Sequence, residues 1–63
     1  MSKADEMFKN LGYKNTFSSF YEHDFGTTIK FNDCCKEIII GGVIDVNDLQ
    51  AINKKIKELG WIE

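Results

Sequence analysis

The chain has 63 residues, 43% of them apolar and 29% charged, with eight lysines against ten carboxylates and a net charge of −2. That length predicts one domain over residues 1–63, and a domain this small buries only about 60% of its unfolded surface, so nearly every large apolar side chain is needed inside. Arginine, the preferred bidentate reader of phosphate and guanine, is absent, and the acidic balance leaves little to displace counterions from a duplex; nucleic-acid binding is disfavoured.

The first element reads as a helix over "SKADEMFKNLGY". Ala4, Met7, Phe8 and Leu11 recur at helical spacing on one face, Asp5 and Lys9 form an i,i+4 pair on another, and Ser2 with Asp5 suggests a capping box. Gly12 ends it. "YKNTFSSFYEH" is rich in β-formers and is predicted as one strand, with Tyr13, Asn15, Phe17, Ser19 and Tyr21 on one face and Phe20 on the other. "HDFG" signals a turn, after which "TTIKFN" alternates and places Ile29 and Phe31 together.

"NDCC" turns the chain again. The adjacent Cys34 and Cys35 close no useful loop, lack C-x-x-C spacing and supply too few ligands for structural zinc, so they read as reduced turn cysteines. "KEIIIGG" predicts a third strand, with Ile39 on one face and Ile38 and Ile40 on the other, released by Gly41 and Gly42. The last element, "DLQAINKKIKELGW", is predicted as a helix begun by Asp45 and Asp48 at the positive end of its dipole. Val46, Leu49, Ile52, Ile56 and Leu59 form its apolar stripe, while Gln50, Ala51, Lys54 and Glu58 point away. "FKNLGY" and "IKELGW" close the two helices alike. A left-handed Gly at each end predicts that Phe8 packs on Tyr13 and Ile56 on Trp61.

The elements add up to an α+β fold in the order α-β-β-β-α, a three-stranded antiparallel meander with both helices packed on one face. No apolar run reaches the length of a membrane span, and residues 1–12 are charged and helix-patterned rather than signal-like, which predicts a cytoplasmic protein.

Chemistry-bearing constellations are scarce. His23, the single histidine, has Glu22 and Asp24 beside it, but neighbours on a strand point to opposite faces, so it reads as a solvated turn residue and no metal site is expected. "DVND" opens like a calcium loop, yet Gln50 and Ile56 stand where the loop needs Gly and Glu. No phosphate-binding glycine motif and no nucleophile–base set is present, so neither an enzyme nor a bound cofactor is expected.

The element order looks like that of double-stranded-RNA-binding domains, which grip phosphates with lysines at the start of the last helix. Here that start, "DVNDLQ", is acidic and the lysines come later. An alternative reading is thus a nucleic-acid-associated protein using Lys54, Lys55 and Lys57. The favoured reading rests on the surplus of aromatics in "FSSFYEHDF". With both helices on one face, the other is open, and Phe20, Tyr21, Ile38 and Ile40 are the candidate partner surface, for an unknown protein or a second copy of the chain.

The two ends, "KADEMFKNLGYK" (3–14) and "DLQAINKKIKELGWI" (48–62), resemble the termini of small uncharacterised phage and prophage proteins of low-GC Gram-positive bacteria. The resemblance covers under half of the chain. It implies a small accessory protein in a bacterial cytoplasm and brings no functional residues with it.

Overall fold

The computed structural model describes residues 3–17 and 19–62. Its elements are α1 (Lys3–Asn10), β1 (Tyr13–Phe17), β2 (Phe20–His23), β3 (Thr28–Asn32), β4 (Glu37–Gly41) and α2 (Val46–Glu58). The strands form one antiparallel sheet in the order β1-β2-β3-β4. The fold is α+β as expected, but the sheet has four strands, and the double-stranded-RNA-binding order is not reproduced.

The difference lies in the segment read as one strand. It reverses between Phe17 and Phe20 and pairs with itself, Tyr13 opposite His23 and Phe17 opposite Phe20. An eleven-residue strand would run about 36 Å, longer than the 30 Å greatest extent of the molecule. Its ends would find no partner on strands of five residues. Folding back satisfies those backbone groups and turns both tyrosines inward. A register shift between Asn15 and Phe17 then breaks the alternation. Phe17 leaves the face of Tyr13 and joins Phe20 on the opposite side.

The core lies between the helices and one sheet face. It consists of Phe8, Tyr13, Tyr21, Ile29, Phe31, Ala51 and Ile52, with Met7, Leu11, Ile38, Ile44, Ile56, Leu59 and Trp61 packed around them. Residues from both helices meet the same sheet face, so the one-sided arrangement holds. Phe8 stacks on Tyr21 with ring centroids 4.2 Å apart and meets Tyr13 edge-on at 5.5 Å. The expected Phe8–Tyr13 contact is therefore present. At the other helix end Trp61 N donates to Ile56 O at 3.0 Å, and Gly12 and Gly60 both have positive φ, 97° and 77°.

α2 begins as expected: Asp45 and Asp48 form a reciprocal capping box, each side chain accepting from the other's backbone N–H at 3.0 Å. Its buried face, however, is rotated from the expected stripe. Ala51, Ile52 and Lys55 are buried, whereas Val46 and Leu49 are exposed, Leu49 by 54%. Ala51 was expected to point away. It faces inward because α1 lies beside α2, and Ala4 and Ala51, one on each helix, are both wholly buried. Glu58, also expected to point away, accepts from Ala4 N at 3.0 Å and so closes the start of α1. The expected Ser2 cap lies outside the described residues.

Candidate functional site

The four residues expected to form a partner surface do not come together. Tyr21 is only 1% exposed and belongs to the core. Ile38 is half-buried against that core from β4. Ile40 pairs with Ile29 and so shares the helix-covered side, 41% exposed because it stands at the sheet edge. Phe20 alone of the four occupies the helix-free face. The parity error has one cause: Phe20 pairs with Lys30, and Lys30 pairs with Ile39, so the open face carries Ile39 rather than Ile38 and Ile40.

What the sheet assembles on that face is a cross-strand row: Phe17 on β1, Phe20 on β2, Lys30 on β3 and Ile39 on β4. Phe17 is 70% exposed and Ile39 53%, and the Phe17 and Phe20 rings lie 6.2 Å apart. Phe17, Ser19, Phe20 and Lys30 line a shallow hollow of about 460 Å³. The aromatic surplus pointed to this face. The bulge that delivers Phe17 to it has no sequence signature.

The helix side carries a polar cluster that the sequence did not announce. Tyr21 Oη donates to Asp5 Oδ1, Lys55 Nζ lies 3.7 Å from the same oxygen, and that ammonium sits 5.7 Å from the Tyr21 ring centroid. Burial first, then the hydrogen bond and charge of Asp5, hold the Tyr21 hydroxyl above the usual phenol range. The group is thus kept neutral, which suits a structural tie between α1, α2 and β2. Because Lys55 is buried in this tie, Lys54, Lys55 and Lys57 do not make one surface patch; Lys54 and Lys57 alone are exposed.

His23 is not a solvated turn residue. It ends β2, half-buried, with Nε2 2.9 Å from Leu11 O and Nδ1 accepting from Phe25 N at 3.1 Å. These contacts fit the neutral tautomer that carries its proton on Nε2. Both nitrogens are used to lock the β2–β3 turn to the end of α1. In that turn Gly26 N donates to His23 O at 2.9 Å and Gly26 has φ 96°. Tyr13, beside His23, has its pKa pushed up to about 12, by burial and then by the neighbouring Asp48 and Asp45 carboxylates.

Cys34 and Cys35 are free and exposed in the β3–β4 turn, their sulfurs 3.8 Å apart. Trp61 Nε1 donates to Asp33 Oδ1 at 2.9 Å and ties that turn to the end of α2. Among the described residues no group of three or more His, Cys, Asp or Glu converges to hold a metal ion, and no helix is long and apolar enough to cross a membrane. Compared with known protein families, characterised proteins and solved structures, the chain matches none.

Proposed function

We propose that this chain is a non-enzymatic protein-binding module whose contact surface is the helix-free face of the sheet, centred on Phe17, Phe20 and Ile39. One observation supports this reading above the others: Phe17, Phe20 and Ile39 stand in one cross-strand row on a face that none of the described elements covers. A core that already holds Phe8, Tyr13, Tyr21 and Phe31 has no use for them. Apolar side chains gathered on an uncovered face mark an interaction site, and Lys30, which stands between Phe20 and Ile39 in the row, adds a charge that an acidic group on the partner satisfies. The setting is a bacterial cytoplasm, where exposed thiols stay reduced, with the phage-like termini as the ground for an accessory role.

The test is affinity capture from a bacterial host lysate with the parent chain and with Phe17→Ser plus Phe20→Ser. The expected result is a partner retained by the parent and lost with the pair, while thermal melting stays within a few degrees. Equal retention by both would remove the face from consideration. Retention of DNA or RNA at low salt, abolished by Lys54→Glu with Lys57→Glu, would favour the nucleic-acid reading instead.

A further inference from the structure

Among the described residues, β4 ends the sheet with its outer backbone groups bare. Phe31 N donates to Ser19 O on the β2 side, so in β3 the residues Thr28, Lys30 and Asn32 turn their peptide groups towards β4. Their partners Gly41, Ile39 and Glu37 are thereby satisfied, and the N–H and C=O groups of Ile38 and Ile40 point off the sheet. Exposed edges usually carry a lysine, a proline or a bulge that blocks pairing with an identical edge. From Ile38 to Ile44 the sequence is Ile-Ile-Ile-Gly-Gly-Val-Ile, without a charge or a proline. The β3–β4 register is also unbroken. Apolar surface flanks this edge on both sides, Ile39 on the open face and Ile40 and Leu49 on the helix face.

We propose that a second copy of this chain occupies the edge, β4 pairing antiparallel with β4 about Ile39 to give a continuous eight-stranded sheet with all helices on one side. This goes beyond the open-face reading: it stands on the β4 backbone edge and shares only Ile39 with that face. In this register each Ile38 lies opposite Ile40 of its mate, so every outward group of both residues is used, about four backbone bonds. The two Ile39 side chains meet on the open face, and Leu49 of each copy extends the contact over Ile40 on the other face. Glu37 falls opposite Gly41 of the mate, so no like charges confront each other, and nothing on the edge discriminates against self. A single strand with its flanking side chains buries an area near the lower end of stable interfaces, about 1,200 Å² in total. The dimer is accordingly reversible.

Sedimentation equilibrium tests this. The average mass should rise from 7.3 kDa towards twice that value as concentration passes through roughly 10 µM to 1 mM, the range of a small transient interface. Ile39→Lys and, separately, Ile40→Pro should each weaken association at least tenfold, with the melting transition retained. The register has its own probe. With Cys34→Ser and Cys35→Ser in place, Ile39→Cys should oxidise to a disulfide-linked dimer. Glu37→Cys should not, its counterpart in the mate lying about 13 Å along the strand. A monomer at every concentration, a dimer indifferent to Ile39→Lys, or equal cross-linking through Glu37→Cys would overturn the proposal. Phe17→Ser with Phe20→Ser should leave the mass unchanged, which separates this result from the fate of the open-face reading.

Discussion

The two ends of the sheet are built on opposite principles. At the β1 end the strand is broken by a bulge, carries Lys14 and lies beside α1, whose Phe8 stacks on Tyr21 and meets Tyr13. At the β4 end the strand is regular and isoleucine-rich, and α2 leaves Leu49 exposed beside it rather than sealing it. Among the described residues both edges leave outer backbone groups unpaired, and Phe17 stays exposed on β1. The difference is that the β1 edge is bulged and carries a lysine with α1 packed behind it, whereas the β4 edge is regular, uncharged from Ile38 to Ile44 and flanked by Ile39, Ile40 and Leu49. The core's aromatic contacts gather behind β1 and β2, which makes that the closed end in packing, and the regular β4 edge is the open end, where contact with something else meets the least obstruction.

The sharpest way to break this comparison is to empty the closed end. Phe8→Ala should cost about 3–5 kcal/mol, most of the stability of so small a domain, and chemical denaturation should show the chain largely unfolded. Leu49→Ala, its counterpart at the open end, should stay within about 0.5 kcal/mol as an exposed position; a loss comparable to that of Phe8→Ala would show that the β4 end is sealed after all.

Tyr21→Phe keeps the stacked ring and removes only the hydroxyl that Asp5 receives, and should cost about 1.5–3 kcal/mol, the range for hydrogen bonds to charged groups. Asp45→Ala removes the cap of α2 and should cost about 1 kcal/mol, visible as a lower denaturation midpoint with an unchanged slope.

A smaller effect is set by pH. The Tyr13 hydroxyl rises from 10.0 when unfolded to about 12 when folded, and that of Tyr21 is raised as well. A raised folded value means stability that is fully present below pH 10 and lost as pH climbs through about 12. Melting temperature should therefore hold level up to about pH 10 and then fall, and Tyr13→Phe should remove part of that fall. An unchanged alkaline limb in Tyr13→Phe would mean that this hydroxyl is not shielded.

Much of the fold was legible because it is written in local chemistry. Asp45 with Asp48 starts a helix whatever lies around it, and a glycine after each helix allows the left-handed stop. The strand hidden in "YKNTFSSFYEH" was not legible, since Ser18 and Ser19 are weak turn signals between strong β-formers. Its eleven-residue length, about twice that of an ordinary strand, was the available warning. The candidate surface was legible in kind, an aromatic excess beyond the needs of the core, and mistaken in membership. The bulge moves Phe17 to the open face, and on β4 three consecutive isoleucines carry no local cue to which of them faces the helices; cross-strand pairing with Lys30 decides it for Ile39.

The two closing glycines show where the boundary falls. "FKNLGY" and "IKELGW" follow the same rule, and nothing local separates Gly12 from Gly60. In the fold a Cβ on Gly12 would lie 2.9 Å from His23 Nε2, whereas one on Gly60 would meet nothing within 4 Å. Likewise the lysines of α2 read as one basic run, until α1 brings Asp5 to Lys55 and takes that lysine out of solvent. The sequence by itself determined the helix boundaries, the turn after β2 and the stock of apolar side chains, because these depend on a residue and its near neighbours. Only the tertiary structure decided which aromatics were core, which face of α2 was covered and which sheet edge stayed bare. Those outcomes depend on contacts between residues far apart in the chain, and such contacts exist only once the layers have packed.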